Sequence, residues 1–459
     1  MLIEVVDGKM QVVAGTSEKL FEKLIEQDAS VEDYIDIYIT SHSNFITSLD
    51  LLNQLIHRFY LEPSPIGEYA YVKKHSLPIQ IRILNVLDRW ITIQYQDFKL
   101  NHDLYIKLDT FIKGNSVLAF KNEFSKIQNS ITQQRTRFSD YHYFLSSVPS
   151  PTASFNFSFS SIQQQPFPVA HIVNPRRPSA NLFNLSPPQS PSTVQSISNT
   201  TCLLYLDSKD IARYLTLADY YLFRSIQPYD ILYNKKKSQS VDYDFIDMMT
   251  KRANMMSHWI VHEIYSVQQV KTKRILLKKF IEIAKFCYGW SNFHTCMVIT
   301  MGLLSASIQR LQDIWQSLSS KETNTFTSLQ KLLDVSLNMR YYRQKLQVAK
   351  SPMVPFLPVI LKDRTFYIEG NQCYLGNYPT LVNFSKFRSI QHFLIKMKSS
   401  TSETYWFASE LDHFPFFPSI VTQNKHDVTK KNLNELADWI ENRLNLVKKC
   451  HQHCELTEN

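Results

Sequence analysis

Residues able to do chemistry are sparse in this chain, and their spacing excludes more than it allows. The densest group is CHQHC, Cys450 to Cys454. Structural zinc usually takes two ligand pairs separated by a folded span. Here every donor falls in one short stretch, read as part of a polar tail. His262-Glu263 is not followed by a second histidine at zinc spacing and reads as a polar pair on a helix. No phosphate-cradling G-x-x-x-x-G-K-[ST], no G-x-G-x-x-G and no G-x-S-x-G elbow occurs. Paired acids at catalytic spacing are absent too, so the sequence is expected to hold no metal and no cofactor, and to perform no covalent catalysis. What remains is VPFLPVILKDRTFYIEGN, Val354 to Asn371, an apolar run with Pro355 and Pro358 that ends in Glu369-Gly370-Asn371. On residue types alone that end is simply the end of a helix.

The elements that would position such a segment are legible from composition and periodicity. The chain has 459 residues, 44% hydrophobic and 20% charged, enough for two or three cores. Only 8 residues are glycine, while Leu, Ile, Lys, Gln and aromatics abound, which points to helix. Apolar residues recur three and four apart through LFEKLIEQ, LDLLNQLIHRFY and IRILNVLDRWITIQYQDF, with Trp90 and Phe98 as core anchors. A second helical region follows. ILLKKFIEIAKFC aligns Leu276, Phe280, Ile283, Ala284 and Cys287, and LNELADWIENRLNLV aligns Leu433, Leu436, Ile440, Leu444 and Val447. Between the regions, residues 144–200 hold nine of the 19 prolines with many Ser, Gln and Asn, a composition unable to bury enough apolar surface to fold. The expected architecture is all-α: an N-terminal helical domain over 1–143, a disordered linker over 144–200, a larger helical domain over 201–450 and a tail over 451–459.

The net charge of +9 suits an acidic partner, nucleic acid or an anionic membrane surface. The clusters Lys235–Lys237 and Lys271, Lys273, Arg274 are separated and read as solvated faces, so no nucleic acid is expected. The start lacks a secretory signal pattern, no apolar run reaches membrane-span length, and the six cysteines are scattered as in a reducing compartment.

Ordered motifs then identify a resemblance. IARYLTLADYYLFRSIQPYDIL, RANMMSHWIVHEI, RILLKKFIEIAKFCYGWSNFHTCMVITMGLLSASIQRLQDIW, LNMRYYR, PFLPVILKDRTFYIEGN and NFSKFRSI follow one another as in the catalytic domain of Ras-family guanine-nucleotide exchange factors. VVAGTSEKLFEKLI, DIYITSHSNFITSLDLLNQLIHRF and VLDRWITIQYQDF resemble the exchanger-motif module that accompanies that domain. The resemblance implies an all-helical exchange factor rather than an enzyme, acting on a Ras, Rap or Ral type small GTPase. It implies that the segment after PFL opens a hairpin that pries the GTPase's first switch from its nucleotide. By position in the motif, Glu369 would imitate the departing phosphate, Thr365 would face the metal position without ligating it, and Asn371 would orient the hairpin or touch a switch. Asn254, Asn292, His294, Arg310 and Asn338 would form the surrounding GTPase-binding surface, and the N-terminal module would brace the hairpin. Arg364, where the family commonly has an apolar residue, and Met339, where it has Tyr, depart from the pattern. They leave open the alternative of a degenerate scaffold that binds a GTPase without releasing nucleotide. The expected location is cytoplasmic, with recruitment to the inner face of the plasma membrane through peripheral contact with anionic lipid.

Overall fold

The computed structural model describes residues 1–6, 9–26, 32–61, 69–115, 120–145, 203–233, 244–410, 440–442 and 444. The expected linker over 144–200 and tail over 451–459, the lysines at 235–237, and Leu433, Leu436 and Val447 lie outside them, apart from the first two linker residues.

The chain opens with β1 (Leu2–Val6) and β2 (Lys9–Gly15). There follow α1 (Ser17–Ile25), α2 (Glu32–Ser41), α3 (Ser48–Tyr60), α4 (Tyr69–Gln94), α5 (Gln96–Leu100), α6 (His102–Asn115) and α7 (Lys121–Leu145). Next come α8 (Ser208–Ser225), α9 (Pro228–Leu232), α10 (Phe245–Ser266), α11 (Val270–Gly289), α12 (Phe293–Leu303), α13 (Ala306–Gln309), α14 (Gln312–Gln316), α15 (Ser320–Gln330) and α16 (Ser336–Val348). The described part closes with α17 (Leu357–Glu369), β3 (Tyr374–Leu375), β4 (Tyr378–Asn383) and α18 (Phe384–Ser399), followed by isolated helical residues at 440–442 and 444. The protein is thus predominantly helical, with four short strands that periodicity did not announce.

Two compact units emerge, and neither is a continuous stretch of chain. The first gathers Met1–Ser150, Arg224–Asp244 and Val359–Ser399; the second gathers Pro151–Phe223, Phe245–Pro358 and Ser400–Asn459. The hairpin segment therefore belongs to the same unit as the N-terminal helices. Its β4 completes an antiparallel sheet of order β1-β2-β4-β3, with Ala14 opposite Asn383 and Gly15 opposite Val382. Behind that seam Tyr34 stacks on Phe384 with ring centroids 4.7 Å apart, and Phe45 lies 6.0 Å from Phe387. Arg388 donates to the Val12 carbonyl at 2.7 Å. Trp90 and Phe98 are buried, 4.9 Å apart, as their periodicity implied.

In the second unit, Leu276, Phe280, Ile283, Ala284 and Cys287 are all buried on α11, and Ile440 and Leu444 are buried as well. α10 and α12 cross closely at Gly302. A Cβ there would stand 3.0 Å from Ile260 Cδ1 and 3.3 Å from the Ser257 carbonyl, so a larger residue would require these neighbours to give by a few tenths of an ångström. Glu263, read from sequence as half of a polar pair, is fully buried and accepts from the Trp259 indole at 2.9 Å.

Candidate functional site

The candidate residues divide between the two units: Thr365, Glu369 and Asn371 fall in the first, and Asn254, Asn292, His294, Arg310 and Asn338 in the second. Each group has its own geometry.

In the first unit, Thr365 and Glu369 are four residues apart on α17 and so share one face, about one turn apart. Both are exposed, as is Asn371 just beyond the helix. The Thr365 hydroxyl donates back to the Leu361 carbonyl at 3.1 Å, one turn earlier in its own helix. The Glu369 carboxylate makes no hydrogen bond or ion pair among the described residues. The helix stops at Gly370 for a steric reason. Its N–H reaches the Phe366 carbonyl at 2.9 Å, and a Cβ on it would fall 2.4 Å from that same oxygen. Only glycine lets the chain turn this tightly behind Glu369.

Arg364, the departure noted in the sequence, is directed neither to solvent nor to a partner. Its guanidinium is half-buried and donates to the carbonyls of Ile231 and Leu232, the last residues of α9. A cation at a helix C-terminus satisfies orphan carbonyls and the negative end of the helix dipole.

In the second unit, Asn292 and His294 sit at the start of α12. Asn292 is fully buried and is the N-cap: its Oδ1 accepts from the Thr295 N–H at 3.0 Å. Its Nδ2 donates to Thr295 Oγ1 at 2.9 Å and to Thr216 Oγ1 at 3.2 Å. His294 is also buried, at 2% exposure. The Leu357 N–H donates to its Nδ1 at 3.4 Å, which puts the ring proton on Nε2. Burial lowers the pKa of this histidine, so it is neutral at physiological pH. Direct partner contact, expected for both from the motif, meets two side chains enclosed by their own unit. In this conformation they shape the start of α12 from within.

The other three are open. Asn254 is half-buried on α10 and Arg310 is exposed at the end of α13, and neither side chain forms a hydrogen bond among the described residues. Asn338 is exposed in a strained turn: Leu337, Asn338 and Met339 adopt φ of 48°, 57° and 58°. Left-handed backbone costs a non-glycine residue roughly 1–2 kcal/mol. Packing and hydrogen bonds hold the turn. Met339 is buried, and Arg343 Nε donates to the Asn338 carbonyl at 2.7 Å. The outcome is that Leu337, 74% exposed, and Asn338 project together from the second unit.

Beneath Asn292 runs a buried polar network that the sequence reading missed. Thr295 Oγ1 donates to the Asp219 carboxylate, whose other oxygen lies 3.3 Å from Arg252 Nε. Arg252 Nη1 is 2.6 Å from Glu441 Oε1, which also accepts from the Tyr214 hydroxyl at 2.6 Å. Burial raises the Glu441 carboxyl above the usual range, although Arg252 and Tyr214 oppose the shift. No group of His, Cys, Asp and Glu able to hold a metal occurs among the described residues, and no described helix is long and apolar enough to cross a membrane.

Residues 11–111 match the RasGEF N-terminal motif and residues 210–388 match the RasGEF domain. Ras guanine nucleotide exchange factor A of Dictyostelium discoideum is 27% identical over 80% of this chain and 54% of its own length. Ras guanine nucleotide exchange factor J of the same organism is 26% identical over 87% of this chain and 45% of its own. Rap guanine nucleotide exchange factor 5 of Mus musculus is 35% identical over 41% of this chain and 23% of its own. The chain spans about half the length of the two Dictyostelium relatives. With the N-terminal motif preceding the catalytic-type domain in the order these matches give, the chain belongs to the RasGEF family.

Proposed function

We propose that this protein promotes nucleotide release from a Ras-family small GTPase of Ras, Rap or Ral type. The observation that carries the reading is Glu369: an exposed carboxylate without a partner among the described residues, at the end of a helix followed by strands β3 and β4 of the sheet. A bound nucleotide is held through its phosphates and Mg²⁺. A carboxylate presented to the phosphate-binding loop competes for the donors that hold the phosphate, and Thr365 brings an uncharged side chain that supplies no carboxylate to the metal position. The names of the relatives support the same activity, since they are exchange factors for Ras or Rap.

Magnitudes set the division of labour. A 10⁴-fold faster release needs about 5.5 kcal/mol of differential stabilisation. Charge-assisted hydrogen bonds contribute about 1.5–3 kcal/mol, so Glu369 must be helped by a wider surface that prefers the nucleotide-free GTPase. Asn254, Arg310 and Asn338 meet that partner directly, while Asn292 and His294 hold the start of α12. Arg364 and Met339, the departures behind the scaffold alternative, each have a local structural role, and that alternative is separated from exchange by nucleotide release. The basic balance suits peripheral recruitment to the anionic inner face of the plasma membrane.

Reciprocity supplies the test. If the protein prefers the nucleotide-free GTPase, nucleotide must expel it. Gel filtration with Ras, Rap and Ral proteins stripped of nucleotide should give a stable complex with at least one of them, and millimolar GDP should dissolve it. A complex that survives GDP unchanged would leave binding without exchange and would restore the scaffold reading.

A further inference from the structure

Lys386 lies on the third residue of α18, within NFSKFRSI, where sequence gives it the look of an ordinary surface lysine. It is instead 6% exposed. Its Nζ donates to the Ile368 carbonyl at 2.7 Å and to the Asn371 carbonyl at 2.7 Å, and lies 3.3 Å from Cys373 Sγ. These are three partners for an ammonium with three N–H groups. No Asp or Glu pairs with it among the described residues. Burying a cation against carbonyls alone is a poor route to stability, which directs attention to what the arrangement positions. The two carbonyls bracket Glu369 and Gly370.

Asn383 finishes the clamp. It accepts at Oδ1 from the Lys386 N–H at 3.2 Å, donates from Nδ2 to the Gln372 carbonyl at 3.2 Å, and donates from its main-chain N–H to the Cys373 carbonyl at 2.8 Å. The carbonyls of residues 368, 371, 372 and 373 are therefore all held by two residues, while the exposed Glu369 carboxylate makes no bond among the described residues. We propose that Lys386, aided by Asn383, is the positioning residue of the hairpin tip: it fixes the main chain around Glu369 before any partner arrives. The proposal rests on the exchange-factor reading above. A tip ordered in advance spends no binding energy on ordering at the moment of nucleotide release. Arginine would not substitute well, because its rigid planar fork does not converge on two carbonyls as a compact ammonium does.

The test uses the full chain with Lys386→Met, which keeps the stem and removes the donors. Asn383→Asp serves as a second variant that keeps the Oδ1 cap and loses the Nδ2 donor. Hydrogen exchange of the amides over 370–373 should speed up in both variants, while the amides of β1 and β2 stay as in the wild type. In fluorescent-GDP release, kcat should fall about 10- to 100-fold with KM for the GDP-bound GTPase unchanged, and Lys386→Arg should recover only part of it. Unchanged tip amides in both variants would overturn the proposal whatever the release rates. So would faster tip amides with unchanged kcat in a protein whose release depends on Glu369. Absence of release by the wild type on every GTPase would instead overturn the exchange-factor reading, and hydrogen exchange would still decide whether Lys386 orders the tip.

Discussion

Phe384→Ala should destabilise the first unit by about 3–5 kcal/mol, the range for deleting a buried aromatic ring, and it should do so by releasing the hairpin. Phe384 is fully buried where β4 passes into α18, and its ring stacks on Tyr34. Tyr34 is in turn fixed by its hydroxyl, which donates to the Leu20 carbonyl at 2.8 Å. One ring thus joins the hairpin to α1 and α2. The flanking ties are weaker: two strand pairs, the Arg388 bond to Val12, and a 3.4 Å bond from Ser385 to the Val13 carbonyl. Denaturant unfolding with site-resolved hydrogen exchange measures the effect. The expected result is lost protection in β4 and in β2 together. A loss below about 1 kcal/mol, well under the range for such a ring, or lost protection in only one of those strands, would contradict the view that this ring is the main brace.

The second large effect belongs to Arg252. One guanidinium there serves two buried carboxylates, Asp219 and Glu441. Removing a single partner of a buried pair typically costs about 3–5 kcal/mol, and Arg252→Met leaves two acids facing each other's charge. Glu441→Gln removes the surplus charge and keeps the acceptor for Tyr214, so it should cost far less. The pH dependence follows in sign. The Glu441 carboxyl is raised in the fold, so protonation favours the folded form, and stability from this group is lost as pH rises through its folded pKa. Arg252→Met should therefore be least stable at neutral pH and recover as the solution is acidified toward the carboxylate range. Thermal unfolding of both variants across that range reads this directly. Equal losses in the two variants would contradict the assignment of Arg252 as the shared counter-ion. Glu441 also lies beyond residues 210–388, so the second unit needs a residue outside the matched RasGEF segment.

Local periodicity made most helices legible. The faces through Leu276, Phe280, Ile283, Ala284 and Cys287 and through Trp90 and Phe98 are buried as their spacing implied. The sheet was missed although half of its signal was present. Asp7-Gly8 between LIEVV and KMQVVAG is a hairpin pattern, overshadowed by the helical composition around it. The other half, β2 against β4, joins Gly15 to Val382 and leaves no local trace. At the site, the exposure of Glu369 could be anticipated from motif order. Lys386, Arg364 and Asn292 could not, because a cation or amide that binds main-chain carbonyls or caps a helix has the same letters as one in solvent. Asn292 did carry a hint, a good N-cap residue just ahead of an apolar helix. The left-handed turn at Leu337–Met339 carried none, since it contains no glycine.

Nucleotide release is proposed to depend on Glu369. The direct measurement is fluorescent-GDP release from Ras, Rap and Ral proteins with wild-type chain and with Glu369→Ala. Acceleration is expected on at least one GTPase, reduced by about 10- to 100-fold in the variant, the equivalent of the 1.5–3 kcal/mol of a charge-assisted hydrogen bond. Acceleration that survives Glu369→Ala, or no acceleration on any of the three, would contradict it.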